Sequence, residues 1–501
     1  MKKIIFSITA AALVLGACNL KQYPISEVAA DAYVKDAKSV ENLVLGTYNG
    51  LYDVAEHEWA MTELRSDNAR MRVNQSTAGE TKLIEQLDQG TIISANKWVQ
   101  EYWDAAYRVI NRANSVFPYL EVVEDDMQRK QLEGEVRFLR AFMYFKLVRL
   151  WGPVFIVTKK TGADEARHMQ RSPVDEVYAV IESDLKAIVD GNLLPLTLPD
   201  AQKGRADLKA AKALLAEVYA THYTPSDELY AQGATLLDEV LEACGNPAAG
   251  TQLVPYDKVF ATDNEMNAEI LFAIRYRSGK LGIGSPFTTL FAPINNGGNV
   301  AIGSPKHYNF PSDNLIAAYN ENPGDLRKDV TLQESYYNAT TGQIVTNNAR
   351  YCSKYIDKKM TSENDAENDF PVIRLGGVML LKAEMDNEMN GPTPGALTLL
   401  NAIRQRAGVP DYSAADLNSR YAFREAVRKE RRLELAMENQ RWFDLLRWGT
   451  AVSTVNNFFA SEAFYGNYDY TINPIAAWQT LLPIPVSVRD INKEVAQNPG
   501  Y

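Results

Sequence analysis

The sequence predicts a mostly α-helical protein in which helical hairpins carry irregular loop insertions and β structure is scarce. Three observations lead to this fold class. Apolar residues recur at three- and four-residue steps in many segments, these segments follow one another in close pairs, and stretches rich in Gly, Asn, Ser, Thr and Pro interrupt them. With 46% hydrophobic residues among 501, the chain can bury a large core.

The helical segments come in consecutive pairs. In chain order we predict helices over residues 39–53, 98–120, 131–150, 174–189, 206–219, 226–241, 372–388 and 394–407. Small residues such as Ala210, Ala213 and Ala216 allow neighbouring helices to approach closely. The spacing of the pairs suggests tetratricopeptide-like packing, although no strict repeat is present.

A charged amphipathic block follows these pairs. Residues 428–449 read RKERRLELAMENQRWFDLLRWG, with apolar positions at helical spacing. Opposite charges three residues apart, Glu438 with Arg441 and Asp444 with Arg447, can pair on the other side of a helix. We therefore predict one continuous core helix with a solvated, salt-bridged outer face, and a structural rather than a catalytic role.

The chain ends on a proline-containing tail. Residues 481–501 read LLPIPVSVRDINKEVAQNPGY, and Pro483, Pro485 and Pro499 exclude helix around them. We expect an extended tail that lies across other elements and locks them.

The N-terminus predicts a lipoprotein signal peptide over residues 1–17. Two lysines precede an apolar run over residues 4–15, which is too short to span a bilayer as a permanent helix. The run ends in LGAC, so Cys18 is the expected lipidation site, and an ordinary signal peptide with an incidental cysteine is the alternative. Residues 18–501 are then expected to form a single domain on a lipid tether.

The composition favours a binding protein over an enzyme. The net charge is −11 and the basic residues alternate with Glu along the helices, so we predict no basic patch for nucleic acid or polyanionic sugars. The four histidines share no metal-ligand spacing, and no HExxH, CxxC or GxSxG motif is present. We predict no catalytic residue, no metal and no cofactor, with a surface glycan hydrolase as the less favoured alternative. For Cys244 and Cys352, two separate buried thiols are favoured over a disulfide.

Several blocks together resemble the SusD/RagB family, nutrient-binding outer-membrane lipoproteins of Bacteroidetes. Besides residues 428–449 and the tail, they are GEVRFLRAFMYFKLVRLWGPV, GRADLKAAKALLAEVYA and LLNAIRQRAGVP. The resemblance implies about four tetratricopeptide-like helix pairs that hold a more irregular ligand-binding part. In this chain the helical part would lie at about residues 38–245, the loop-rich ligand part at about 250–370, and the C-terminal helices and tail at 371–501.

The resemblance also implies a function. Family members capture nutrients such as oligosaccharides outside the cell and deliver them to a SusC-like TonB-dependent transporter in the outer membrane, to which their own lipid anchors them. No chemistry on the ligand is implied. Binding of peptides by the same architecture is the main alternative. A scaffold with no small ligand is less favoured, because the aromatic-rich loops would then lack a purpose.

Candidate binding residues follow from how proteins hold sugars. Aromatic faces pack on the apolar C–H faces of sugar rings, and Asn, Asp, Arg or Gln side chains bond the hydroxyls. Two loop regions combine these residue types, and the second also contains Asn295 and Asn296. The candidates are Trp59, Arg65, Asp67, Asn68, Asn96 and Trp98 in the first region, and His307, Tyr308 and Asn309 in the second. For each loop aromatic, packing within its own loop is the alternative.

Overall fold

The structure, a computed structural model, describes residues 33–71, 79–159, 161–245, 253–464 and 473–501. The predicted signal peptide over residues 1–17 and the predicted lipidation site, Cys18, lie outside the described residues. Among the residues that are described, no helix combines the length and apolar character needed to cross a bilayer.

The predicted fold class is confirmed, because the chain is 54% helical with only 7% in strands. The helices are α1 Ala37–Asn49, α2 Leu51–Met61, α3 Glu80–Asp88, α4 Lys97–Val116, α5 Asp126–Trp151, α6 Val174–Gly191, α7 Leu208–His222, α8 Glu228–Ala243, α9 Asp313–Asn320, α10 Leu375–Asn390, α11 Pro394–Arg406, α12 Arg420–Glu434, α13 Arg441–Arg447, α14 Ala451–Phe464 and α15 Val486–Ile491. Shorter helical turns are Ala163–Ala166, Tyr256–Val259, Phe287–Phe291 and Arg327–Thr331.

Most predicted helices are present with ends moved by a few residues, and two differ in kind. Leu51–Met61 is a helix of its own, where we predicted only the end of the first helix. Residues 372–374, predicted as the start of a helix, belong to a strand that leads directly into α10.

The helical scaffold is a series in which each helix packs on the next. Contacts run from α4 through α5, α6, α7 and α8, and α8 then packs on α10, which also holds α11 and α12. Polar side chains fix where several helices begin: Asn96, Asp125 and Asp207 accept backbone N–H groups in the first turns of α4, α5 and α7. This arrangement agrees with the tetratricopeptide-like hairpins expected from the sequence.

The loop-rich part contains most of the short strands, which form antiparallel pairs. The strands are β1 Ala69–Arg70, β2 Ile270–Ile274, β3 Phe310–Pro311, β4 Leu332–Gln333, β5 Tyr336–Asn338, β6 Gln343–Val345, β7 Tyr351–Cys352 and β8 Phe370–Arg374. They pair as β1 with β3, β2 with β8, β4 with β7 and β5 with β6. The loop-rich part is joined to the scaffold in two places, because β8 runs directly into α10 and β1, which follows α2, pairs with β3.

The prediction of one continuous helix over residues 428–449 is wrong. The block divides into α12 and α13, and Met437 and Asn439 in the connecting turn have positive φ values of 66° and 62°. Left-handed backbone cannot continue a right-handed helix, so the helix is interrupted there.

Most charged side chains of this block lie in the interior, whereas Arg428 and Lys429 keep 22% and 31% of their side chains exposed. Glu438 pairs with Lys354 at 2.6 Å and with Arg374 at 2.6 Å, instead of with Arg441. The predicted Asp444–Arg447 pair is present at 3.0 Å, and both side chains are about 5% exposed. The block is therefore part of a buried ionic network.

The C-terminal tail does lie across other elements, as predicted, although it includes the short helix α15. The indole N–H of Trp151 donates to the carbonyl of Pro483 at 2.9 Å, and the amide of Asn498 donates to the carbonyl of Trp151 at 2.9 Å. Cys244 and Cys352 are free thiols, half-buried and buried respectively.

Candidate ligand-binding site

The two predicted binding regions are brought together by the fold. Strand β1 pairs with β3, so that Arg70 lies opposite Phe310. Next to this pairing, the ring of Trp59 stacks on Tyr308 at 5.7 Å and meets the edge of Trp98 at 5.6 Å. The three predicted aromatics thus form one cluster, but they are only 1–6% exposed, and they join the loop-rich part to α2 and α4.

The predicted polar residues of the first region lock the C-terminal block in place. Asp67 accepts two hydrogen bonds from Arg441, at 2.7 and 2.9 Å. Burial alone would raise the pKa of Asp67, but Arg432 and Arg441 outweigh it and hold that pKa well below its usual range. Asn68 accepts from Arg432 at 2.8 Å, and Arg65 donates to the carbonyl groups of Gln479 and Thr480, just before the tail.

The remaining predicted residues also have structural partners or buried positions. Asn96 is the N-cap of α4, accepting from the backbone N–H of Trp98 at 3.0 Å. The Nε2 atom of His307 lies 2.8 Å from the carbonyl oxygen of Arg350, and Asn309 is fully buried with a φ of 51°. Direct contact of any of the nine predicted residues with a ligand stays a prediction.

The loop-rich part also forms an exposed cleft with a mixed polar and apolar lining. It has a volume of about 780 Å³ and is formed by the loop that follows Phe287–Phe291 and by the β5–β6 hairpin. We call it the loop cleft. Its lining consists of Ile294, Asn295, Asn296, Gly297, Gly298, Ala301, Ile302, Gly303, Ser304, Pro305, Asn338, Thr340 and Thr341.

Two asparagines build the walls of the loop cleft. The buried Asn296 accepts from the backbone N–H groups of Val300 and Ala301, which closes the loop on itself. Asn338 accepts from the N–H groups of Thr340 and Thr341, and its amide donates to the carbonyl of Asn295 at 2.5 Å. Side chain and backbone together therefore hold the loop against the hairpin turn.

The close approach of loop and hairpin requires glycine at position 297. Gly297 has a φ of 68°, and a Cβ atom there would lie 2.7 Å from the side-chain oxygen of Asn338 and 2.7 Å from the backbone nitrogen of Thr340. Gly298, with a φ of 78°, has nothing within 4 Å of its Cβ position. A side chain at position 297 would therefore collide with the hairpin wall of the cleft, whereas one at position 298 would not.

The loop cleft presents amides and hydroxyls beside partly exposed apolar side chains such as Ile294, Ile302 and Pro305. Asn295, Ser304, Thr340 and Thr341 are exposed, and they offer both donors and acceptors. On the other face of the hairpin Tyr337 is 48% exposed beside its cross-strand neighbour Ile344. The exposed amides and hydroxyls can form hydrogen bonds with a polyhydroxylated ligand, and the backbone that carries them is held in place by the contacts of Asn296 and Asn338.

Sequence reasoning identified only one side of the loop cleft. Asn295 and Asn296 were noted as part of the second candidate region, whereas Asn338 and Thr340 were missed. A signal for the hairpin exists in residues 336–345, YYNATTGQIV, because two β-favouring runs flank a turn that ends in glycine. Within the described residues, no group of three or more His, Cys, Asp or Glu side chains is arranged to hold a metal ion.

The structure is thus a helical-hairpin scaffold whose inserted loops form an exposed cleft. Comparison with known families makes this specific. Residues 256–501 match the SusD family model, and residues 26–220 match a SusD-like model described as starch-binding associating with outer membrane. The chain belongs to the SusD/RagB family.

Individual relatives agree with this assignment over the whole chain. SusD-like protein P25 of Formosa agariphila is 25% identical, with 96% of each chain covered. A laminarin-binding SusD-like protein of known structure is 24% identical, covers 93% of this chain and 100% of its own, and has a TM-score of 0.74. Surface glycan-binding protein A from Bacteroides thetaiotaomicron in complex with laminarihexaose is 20% identical, covers 92% and 99%, and has a TM-score of 0.72. These structural likenesses establish the shared fold.

Proposed function

We propose that this protein captures an oligosaccharide in the loop cleft and delivers it to a SusC-like TonB-dependent outer-membrane transporter, without chemistry on the ligand. The observation that carries the proposal is the loop cleft itself. It is exposed, its lining offers amides and hydroxyls beside apolar side chains, and its shape is fixed by the contacts of Asn296, Gly297 and Asn338.

The size and chemistry of the loop cleft suit a short neutral glycan. Its volume of about 780 Å³ lies within the roughly 300–1,000 Å³ that is usual for small-ligand sites. Each sugar hydroxyl needs both a donor and an acceptor, and exposed Asn and Thr side chains provide both. The wall residues are already ordered by their own hydrogen bonds, which reduces the entropy cost of binding.

The relatives indicate which glycans to test first. Two proteins of the same fold carry names that state laminarin binding or a laminarihexaose complex. Laminari-oligosaccharides are therefore the first probe, malto-oligosaccharides the second because of the family description, and mixed peptides the third.

The membrane tether and the partner belong to the same proposal. Acyl chains on Cys18 would hold residues 18–501 at the outer membrane, facing the exterior, and the family resemblance supplies the transporter as partner. Affinity purification of the full-length protein from native membranes should recover a TonB-dependent channel. Purification with no channel partner would contradict the delivery part of the proposal.

The binding experiment uses a glycine substitution that removes one amide without straining the backbone. Asn295 has a φ of 59°, so Asn295→Gly is compatible with the loop conformation. Asn192, the exposed C-cap residue of α6 with a φ of 47°, provides the matched control Asn192→Gly on the helical scaffold.

We expect the triple variant Asn295→Gly, Ser304→Ala and Thr340→Ala to bind the preferred glycan at least about tenfold more weakly in isothermal titration, because each hydrogen bond contributes roughly 0.5–1.5 kcal/mol. Asn192→Gly should bind like the wild type. Equal affinity of all three proteins for a bound glycan would place its site elsewhere, and binding of peptides alone would refute sugar capture.

A further inference from the structure

A second cleft, which we call the basic cleft, lies between α12 and α13 near the start of α14 and the end of α9. Its volume is about 270 Å³. Its lining consists of Ala318, Glu321, Glu425, Arg428, Lys429, Arg432, Leu433, Arg441, Leu445, Trp448, Thr450 and Thr454. The sequence led us to expect no basic patch, because the basic residues alternate with Glu along the chain. The turn between α12 and α13 instead brings four basic side chains to one cleft. They are Arg428, Lys429, Arg432 and Arg441.

Two of the arginines share a single carboxylate. Arg441 donates from Nε and Nη2 to the carboxylate of Asp67. Arg432 donates from Nε to the side chain of Asn68, and from Nη2 to the side chain of Asn314 and to the backbone carbonyl of Asp67. The Arg432 Nη2 atom is also 3.2 Å from the Asp67 carboxylate. Within the part of the chain that the structure describes, Nη1 of neither arginine makes a hydrogen bond. One carboxylate therefore faces two guanidinium charges.

Arg428 is held by its flat face rather than by its N–H groups. Its guanidinium carbon lies 4.7 Å from the centre of the Trp448 ring, a cation–π contact that leaves the edge of the guanidinium available. Its Nε atom is buried and has no hydrogen-bond partner among the described residues. The nearest carboxylate atom, on Glu425, is 3.6 Å away, which is beyond hydrogen-bond length.

The acidic residues at the basic cleft lie mainly at its rim. Glu425 and Glu321 are 51% and 60% exposed, and Glu321 contacts Lys429. Solvent screens such exposed charges more than it screens half-buried arginines. Burial lowers the pKa of Arg432 to about 10 in spite of Asp67, whereas in Arg441 the attraction of Asp67 outweighs burial and raises the pKa. Arg432 is therefore the less compensated of the two guanidinium groups.

We propose that the basic cleft is a second binding site, which takes an oxyanion, a carboxylate or a sulfate ester, carried by a single acidic sugar residue. Guanidinium groups recognise both oxyanions through paired N–H donors. A volume of about 270 Å³ accommodates one such residue rather than a chain. The site is separate from the loop cleft, so it does not rest on glycan capture there.

The test is isothermal titration of the purified protein with sodium sulfate, glucuronate and glucose at constant ionic strength. We expect sulfate, glucuronate or both to bind and glucose to have no effect at this site. Binding of sulfate alone would assign the site to sulfate esters, and binding of glucuronate alone to uronates. Absence of binding by both anions would overturn the proposal.

The variants Arg428→Gln and, separately, Lys429→Gln should each weaken anion binding, Arg428→Gln by about tenfold or more because it removes a charge-assisted donor pair. The control is Arg108→Gln, since Arg108 is an exposed helical arginine paired with Asp53 at 2.9 Å. Anion binding that is unchanged in both cleft variants would also overturn the proposal. Asn295→Gly should leave anion binding intact, which distinguishes a failure of this site from a failure of the loop cleft.

Discussion

The buried ionic network offers the sharpest test of how the fold is held together, and Glu434 lies near its centre. Glu434 is fully buried; it accepts from Arg374 at 2.5 Å and from Arg406, and Arg327 lies 3.5 Å away. The connected ion pairs contain five cations and five carboxylates. The cations are Arg327, Lys354, Arg374, Arg404 and Arg406, and the carboxylates are Glu269, Asp325, Glu430, Glu434 and Glu438.

The substitution Glu434→Gln keeps the shape of the side chain and leaves one positive charge uncompensated in the interior. Removing one partner of a buried pair costs about 3–5 kcal/mol of unfolding free energy. With an unfolding entropy of roughly 2.1 cal/mol/K per residue, a chain of this length loses about 1 °C of Tm per kcal/mol. We therefore expect Tm to fall by about 3–5 °C in differential scanning calorimetry.

The control is a surface pair on the same scaffold. Glu239, whose side chain is 46% exposed, pairs with Lys212 at 2.6 Å, and Glu239→Gln should change the unfolding free energy by less than about 1 kcal/mol. Burial alone would raise the pKa of Glu434, but Arg406, Arg374 and Arg327 hold it well below the ordinary value. Its contribution is thus present above about pH 4.3, the ordinary pKa of Glu, and is lost as pH falls further. An unchanged Tm for Glu434→Gln at pH 7 would refute this account of the network.

Two further predictions concern the loop-rich part. Gly297→Ala should weaken glycan binding, whereas Gly298→Ala should not. Both glycines have a positive φ, but only at Gly297 would a Cβ atom lie 2.7 Å from atoms of the cleft wall. Isothermal titration of both variants with the glycan measures the difference, and equal losses of affinity would mean that backbone strain alone is responsible. Asp369 is buried near Glu265, and its pKa is raised to about 7, although Arg275 opposes the rise. A carboxyl group with a raised pKa stabilises the folded state at low pH and loses that contribution as pH rises from about 4 towards 7. The Tm of Asp369→Asn should therefore improve relative to the wild type between pH 5 and pH 7.5, and a constant difference would contradict the raised pKa.

The helical scaffold could be predicted from sequence because apolar periodicity is a local signal. The break at Met437 and Asn439 could not, since both segments on either side keep helical spacing and only the left-handed turn separates them. Charges three residues apart, such as Asp444 and Arg447, give the same pattern on a solvated face and in a buried network. The spacing of charged residues along one helix does not show whether residues from distant segments bury these charges.

None of the nine predicted binding residues lines the loop cleft, and their contact with a ligand stays a prediction. We placed Trp59, Trp98 and Tyr308 in loop regions, but Trp59 and Trp98 lie in α2 and α4. All three are buried, because a long irregular segment needs apolar contacts to remain attached to the helices. The basic cleft was missed for a related reason. Arg432 and Arg441 are brought to one place by Asp67, which is more than three hundred residues away in sequence.

The most direct test of the central claim is hydrogen–deuterium exchange of the protein with and without a saturating glycan that it binds. We expect slower exchange of amides in residues 294–305 and 336–345, which form the two walls of the loop cleft, and unchanged exchange in the helical scaffold. Protection confined to other regions, with the loop and the hairpin unaffected, would contradict the assignment of the loop cleft as the binding site.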